Sequence, residues 1–288
     1  MTRETTFPAS ASYRHSSSRM SFFIRVGIGV GPLDRGESGE AAKGCRMAHM
    51  RKARFPIGGK DIDDFVVREG ERLLRWEELF SSPAPVEIEI GSGKGRFLLT
   101  EAARRPERNF LGIERRVSHL RVCAERAVRR GLRNLRLLRA NAVEILWARI
   151  PPASVAAFHV YYPDPWWKAR HKKRRIFTPD FIADLARALM TGGELRMATD
   201  VEEYFEQIVR LAGESGLLDA AQPTAEEFGT PDEPLTSYQA KYLRLGRPIH
   251  AALFRSNGTP SPPTPSPRER MRLLKERRRA ERGAMAEG

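Results

Sequence analysis

The feature that most constrains this chain is an apolar periodicity that switches repeatedly between two residues and 3.6, from position 86 to position 211. Val86–Ile90 (VEIEI) alternates as a strand does, GSGKG follows as a glycine turn, and Arg96–Arg104 carries Phe97, Leu98 and Ala102 at helical spacing. The unit then repeats. Asn109–Ile113 predicts a strand, and Val117, Leu120, Ala124 and Ala127 fall on one helix face. Leu135–Leu138 predicts a third strand before a helical turn over Glu144–Trp147, and the apolar run Val155–Tyr161 predicts a central strand. Phe181, Ile182, Leu185 and Leu189 mark a further helix, ended by Gly192-Gly193. Glu194–Ala198 predicts the next strand, Asp200 is placed to cap a helix bearing Tyr204, Phe205, Ile208 and Leu211, and Ile249–Phe254 predicts an edge strand. Strands alternating with helices imply an α/β fold with a mostly parallel central sheet and helices on both faces.

Composition sets the surroundings of that fold. A chain of 288 residues is long enough to bury a sizeable core, and no stretch approaches 18 uninterrupted apolar residues, so no membrane partner is expected. Cys45 and Cys123 give no disulfide framework, and no His/Cys cluster has metal-ligand spacing, so no metal and a cytoplasmic location are expected. Residues 1–50 are rich in Ser, Gly and Arg and read as a disordered extension; their apolar stretch Phe22–Val30 is broken by Arg25 and Gly27 and is too short for a secretory signal. Met47 and Met50 are alternative starts. Residues 51–255 then form the folded domain, and residues 256–288 a Pro/Ser linker with a basic tail. The net charge of +14 is concentrated at both ends and in Lys168–Arg175 (KARHKKRR). One dense basic run on an otherwise mildly acidic body suits a localised polyanion contact.

In an open parallel sheet, ligands bind beyond the carboxyl ends of the strands, so the residues that follow each strand carry the function. After the first comes Glu89-Ile90-Gly91-Ser92-Gly93-Lys94-Gly95, an acidic strand residue with glycines that permit close backbone approach to a ligand. A phosphate-binding P-loop is excluded, because Gly95 and Arg96 stand where Ser or Thr must follow the lysine. The next strand ends at Glu114, 25 residues after Glu89, where a carboxylate can accept both ribose hydroxyls of a nucleoside cofactor. At this point NAD and S-adenosylmethionine both fit. The fourth strand runs into Tyr161-Tyr162-Pro163-Asp164-Pro165-Trp166-Trp167 and then directly into the basic run. A carboxylate between two prolines, beside aromatics and six cations, makes a platform for a planar nitrogen heterocycle in a polyanion. An NAD-dependent oxidoreductase has no use for that run, and His159, inside a strand, reads as a buried structural residue rather than a proton relay.

With EIGSGKGRFL, NFLGIE, NAVEIL, YPDPWWKARHKKRRIFTPDFI, GGELRMATDVEEY and LTSYQAKYLRLGRPI, residues 50–255 resemble the bacterial tRNA (guanine-N(7)-)-methyltransferases. The resemblance implies a Rossmann-like class I S-adenosylmethionine-dependent methyltransferase fold, with S-adenosylmethionine as cofactor and tRNA as partner, acting as a monomer or a homodimer. It implies a methyl transfer to N7 of a guanine in the tRNA variable loop. Glu89, Gly91, Gly93, Glu114, Asn141 and Asp164 would line the cofactor side, with Asp164 also catalytic. Lys168, Asp200, Thr236, Ser237, Tyr238 and Gln239 would contact the substrate. Arg170, Lys172, Lys173 and Arg174, with Arg175, would contact RNA phosphates. Two positions depart from the usual pattern: Asn141 stands where Asp is common, and Gln239 where Glu closes a Thr-x-aromatic-Glu motif. A methyltransferase acting on another base or a small molecule, and a noncatalytic RNA-binding module, are the competing readings.

Overall fold

The computed structural model describes residues 65–67, 73–224, 226–230 and 232–261, with four isolated positions beyond them. The expectations for residues 1–50 and for most of the tail lie outside these residues. In chain order the elements are β1 (Val66–Val67), α1 (Trp76–Leu79), β2 (Val86–Ile90), α2 (Arg96–Arg104), β3 (Asn109–Glu114), α3 (Val117–Arg129), β4 (Leu135–Arg139) and α4 (Ala142–Arg149). They continue with β5 (Val155–Tyr161), a 3-10 turn over Ala169–Arg174, α5 (Pro179–Ala188), β6 (Leu189–Thr199), α6 (Glu202–Ser215), β7 (Leu218–Ala221), α7 (Ser237–Arg244) and β8 (His250–Ser256). One sheet takes the order β1-β4-β3-β2-β5-β6-β8-β7, parallel from β1 to β6 and antiparallel at β8 and β7. It is the doubly wound, mostly parallel architecture that the alternation predicts.

Strand periodicity explains the two cores. Along β2, Val86, Ile88 and Ile90 point to one face, where Leu146 of α4, Phe181, Ile182 and Leu185 of α5, and Tyr204 and Ile208 of α6 close over them. Phe97 and Leu98 of α2 and Leu120, Cys123 and Ala124 of α3 form the other core with Phe110 and Tyr161. Glu87 and Glu89 alternate onto that second face. There Arg105 donates two bonds to Glu87 at 2.8 and 2.9 Å, and His159 Nε2 lies 2.9 Å from it. Burial pushes the Glu87 carboxyl up, but the hydrogen bond from His159 and the Arg105 guanidinium outweigh it and hold the carboxyl at about 2. His159 is fully buried, as the sequence suggests, and tied into this network.

Helix ends follow local chemistry. Thr178 accepts from the Phe181 amide ahead of Pro179 in the first turn of α5. Buried Arg187 donates to the carbonyls of Leu146 at 2.6 Å and Ile150 at 3.0 Å, satisfying the end of α4.

Three expectations are corrected. Leu189 begins β6 rather than ending a helix, and Gly192-Gly193 lie inside that strand. A Cβ on Gly193 would stand 2.8 Å from the Met190 carbonyl and 3.1 Å from that of Val155, where the β5–β6 register shifts, so glycine serves an irregularity in the ladder. Asp200 does not cap α6: Val201 occupies the cap position without a side-chain bond, and Asp200 is drawn to Arg247. The last strand is not an edge strand, because β7 pairs outside it.

Candidate active site

β2 has β3 on one side and β5 on the other, so its neighbouring crossovers leave in opposite directions and open a crevice at the carboxyl ends of these strands. The glycine turn lines it. Gly91 and Gly93 have φ of +80° and +54°, and a Cβ on either would meet nothing within 4 Å. The turn is pinned from behind: Gly91 N donates to the Ile113 carbonyl at 2.8 Å, and Gly93 N to Glu114 Oε2 at 3.0 Å. Gly95, at φ +76°, packs so closely on α3 that a Cβ would stand 2.1 Å from Cys123 Sγ. Burial pushes that thiol up to about 12, so Cys123 is a packing residue.

Two carboxylates face the crevice in different states. Glu114 is anchored, accepting from Gly93 N and, at 2.8 Å, from Arg116 N. Glu89 is 4% exposed, and its Oε2 has no hydrogen-bond partner. Burial first, and the Glu114 charge second, push the Glu89 carboxyl well above its ordinary range. The Ser92 hydroxyl is likewise buried and unpartnered. Asn141 caps α4, accepting from Val143 N at 3.3 Å and donating to Glu144 at 3.2 Å.

Beyond β5 the chain makes a strained turn. Tyr162 and Trp166 adopt φ of +51° and +47°, a region that costs a side-chain-bearing residue about 1–3 kcal/mol. Between them Pro163 and Pro165 flank an exposed Asp164. Trp166 packs inward on His171 and under Arg174, whereas Trp167 is exposed.

The basic run divides. Lys168, Arg170 and Lys173 are exposed; Lys172 pairs with Glu203; Arg174 lies 5.0 Å over the Trp166 ring. Arg175 is buried and donates to the Pro165 carbonyl at 2.8 Å, which removes it from the solvent-facing set expected from sequence.

Asp200 and the Thr236–Gln239 stretch lie on the β6 and α7 side. Asp200 Oδ2 accepts from Arg247 at 3.0 Å. Thr236 caps α7 through its hydroxyl, while Ser237 and Tyr238 are exposed. Gln239 is 2% exposed and spent internally: its Nε2 donates to the Phe228 carbonyl at 2.6 Å and its Oε1 accepts from Leu235 N at 2.8 Å. Sequence reasoning missed two neighbours of this region: Tyr242, whose spacing of four from Tyr238 on α7 was the available signal, and Arg247, which follows the helix and is brought to Asp200 only by the fold. Among the described residues, no group of three or more His, Cys, Asp or Glu is placed to hold a metal ion, and no helix is long and apolar enough to cross a membrane.

A family model described as "Putative methyltransferase" matches residues 83–252. A tRNA (guanine-N(7)-)-methyltransferase of Aliivibrio fischeri (strain MJ11) is 38% identical over 195 residues, covering 67% of this chain and 80% of that one. One from Sodalis glossinidius (strain morsitans) is 38% identical over 177 residues, covering 61% and 74%. A third, from Rhodopirellula baltica (strain DSM 10527 / NCIMB 13988 / SH1), is 37% identical over 211 residues, covering 70% and 78%.

Proposed function

The chain belongs to the tRNA (guanine-N(7)-)-methyltransferase family, and from that premise we propose that it methylates N7 of a guanine in the variable loop of tRNA, using S-adenosylmethionine. The observation that supports the reading is topological: β2 and β5 are parallel neighbours, so the glycine turn after β2, beside an unpartnered buried carboxylate, and the proline turn after β5, which bears Asp164 and leads into the basic run, leave the same end of the sheet.

The residues present fit the cofactor. Gly91 and Gly93 leave room for close backbone approach. The free oxygen of Glu89 and the hydroxyl of Ser92 suit a cationic amino-acid end. Glu114, fixed by one amide on each oxygen, keeps a lone pair on each for ribose hydroxyls, and Asn141 offers an acceptor toward an adenine amino group. When bound, S-adenosylmethionine supplies an electrophilic methyl group.

Guanine N7 carries a free lone pair, so no proton need be removed before attack and no strong general base is required. Positive charge develops on the purine instead. Asp164, held by the proline turn, stabilises that charge, and docked RNA excludes the water that would screen it. Asp200, oriented by Arg247, accepts from the N–H groups on the guanine edge, an arrangement adenine cannot satisfy. Lys168, Arg170, Lys172, Lys173 and Arg174 position the RNA backbone. Thr236 and Gln239 support the substrate side by holding the start of α7, leaving Ser237 and Tyr238 to face the RNA.

The test is incubation of the protein with unmodified bulk tRNA and methyl-labelled S-adenosylmethionine, followed by nucleoside analysis. Label in 7-methylguanosine is the expected result. Cofactor binding without label in tRNA would point to another methyl acceptor, and no cofactor binding would leave a noncatalytic RNA-binding module.

A further inference from the structure

α3 carries a second concentration of positive charge, set across the crevice from Lys168–Arg175. Residues 115–133 hold seven arginines against one carboxylate, Glu125. The density escapes a reading of the sequence because the arginines are interleaved with the apolar stripe of Leu120, Cys123, Ala124 and Ala127. Folding separates the two sets: the stripe is buried in the second core, and all seven arginines are exposed.

Two observations point to a polyanion rather than to a solvated face. The first is that the charges are left open. Among the described residues, the side chains of Arg115, Arg116, Arg121, Arg129 and Arg133 have no hydrogen bond and no ion pair, and Glu125, one turn from both Arg121 and Arg129, bridges to neither. On α6 the same spacing does produce a pair, Arg210 with Glu214 at 3.4 Å. Arg126 and Arg130 each spend one nitrogen on a backbone carbonyl, of Lys94 at 3.3 Å and of Leu99 at 3.2 Å, which fixes them against the glycine turn and α2 with donors to spare.

The second observation is place. β3, β2 and β5 are parallel neighbours in that order, so Arg115 and Arg116, directly after β3, leave the same end of the sheet as Asp164 and the basic run, with about 10 Å between the two strands. Because β4 is parallel to β3, α3 must return the chain to the opposite end of the sheet, and its 13 residues carry the arginines about 20 Å away from the crevice mouth. Every cation of this track is an arginine, whose planar fork matches two phosphate oxygens at once. A lipid surface would ask for bulky apolar groups beside the cations, and on α3 the exposed large apolar side chain is Val117. An acidic protein would meet the charges but would not account for their continuity with a crevice that takes RNA.

We infer that the arginines of α3 and its flanks form a second backbone-binding surface, which holds a paired segment of the tRNA remote from the methylated nucleotide. The inference rests on RNA being the substrate, and it adds where the body of that RNA lies: over β3 and along α3, on the side of β2 opposite the basic run.

The experiment combines Arg121→Ala, Arg129→Ala and Arg133→Ala in the full chain, with Arg121→Lys, Arg129→Lys and Arg133→Lys as the companion variant. Two RNAs are used, unmodified tRNA and a short hairpin holding only the variable loop and its closing pairs, and their Kd values are followed from about 50 to 200 mM salt. The alanine variant is expected to bind tRNA roughly 10- to 100-fold more weakly at the low end, with a salt slope flatter by roughly 0.9 for each phosphate no longer neutralised. It should bind the hairpin and S-adenosylmethionine as wild type does, and the lysine variant should keep the wild-type slope. Wild-type tRNA affinity in the alanine variant would overturn the inference and leave the face to solvent or to another partner. Equal losses for the two RNAs would overturn it as well, because the segment held would then not be remote, and so would a lysine variant as weak as the alanine one, because charge would not be the cause. If the wild-type protein binds tRNA and cofactor but transfers no methyl group, the methyl-transfer reading fails, while the same affinities still decide this inference.

Discussion

Arg175 donates from Nε to the Pro165 carbonyl at 2.8 Å, tying the end of the basic run back to the turn that carries Asp164. Its Nη1 reaches Gln207 at 2.6 Å, and its guanidinium lies 4.6 Å over the Tyr204 ring of α6. A residue that reads in sequence as one more solvent-facing cation is therefore a strut between the proline turn and α6. Arg175→Ala is expected to cost about 2–3 kcal/mol, because it leaves a part-buried carbonyl and a glutamine without their charged donor. Urea unfolding should show a lower midpoint at unchanged slope, and Arg174→Ala, whose side chain is exposed, should leave the midpoint nearly where it was.

Asp164→Asn keeps the size of the side chain and removes only its charge. Single-turnover methyl transfer to tRNA is expected to fall by roughly 10²–10³-fold, the scale of removing one electrostatic stabiliser of a developing charge. The Kd of S-adenosylmethionine should change far less. Equal single-turnover rates would take Asp164 out of the mechanism.

Gln239→Glu tests whether the departure from the usual motif is structural in this chain. The amide donates to the Phe228 carbonyl at 2.6 Å, and an ionised carboxylate there would face that oxygen with nothing to donate. A loss of about 1–3 kcal/mol is expected at neutral pH. The new carboxyl donates only when protonated, so its folded pKa would lie above its unfolded one. Its favourable contribution would be present below the unfolded value and lost as pH rises through the folded one. Thermal denaturation at pH 5 and pH 8 should therefore show the deficit growing with pH; a deficit independent of pH would refute this account of Gln239.

Glu89 opposes stability with function. Burial and the Glu114 charge raise its folded pKa above the ordinary 4.5, so its contribution is most favourable below that value and is lost as pH rises through the folded pKa. Glu89→Gln should stabilise the ligand-free protein by about 1–2 kcal/mol at pH 8, with a smaller gain at acidic pH, and should weaken cofactor binding. A cationic group placed against Glu89 favours its ionised form, so cofactor binding is expected to release a proton. Calorimetric titration in two buffers of different ionisation enthalpy measures that proton directly, and its absence would dissociate Glu89 from the ligand's charge.

The alternation of strand and helix was legible because each core-facing position obeys a period: Val86, Ile88 and Ile90 to one face, Glu87 and Glu89 to the other. The crevice was legible for the same reason, since residues after parallel strands gather at one end of the sheet. What escaped was decided by contacts between distant segments. β7 (LDAA) has a single buried residue and no alternation to announce it, so β8 read as an edge. Gly192-Gly193 read as a helix stop, whereas the carbonyls that demand a glycine belong partly to β5. Arg175 matches the cations beside it in type, and Gln239 differs from the usual Glu only by an amide; their roles are set by distant partners, the carbonyls of Pro165 and Phe228 among them.

The same division sharpens what the basic run does. Lys168, Arg170 and Lys173 face solvent, while Lys172 is engaged by Glu203, Arg174 covers Trp166, and Arg175 is buried. Each lysine or arginine that neutralises a phosphate releases condensed counterions, so the logarithm of RNA affinity falls linearly with the logarithm of salt concentration. Replacing Lys168, Arg170 and Lys173 together by alanine should flatten that slope by roughly 0.7–0.9 for each phosphate no longer neutralised. Lys172→Ala should flatten it less, because RNA must compete with Glu203 for that ammonium. Arg175→Ala, at a temperature where it stays folded, should leave the slope unchanged. A triple variant with the wild-type slope would show that the run is a solvated face and that the phosphates are met elsewhere, and a flattened slope in Arg175→Ala would contradict its place as a buried strut.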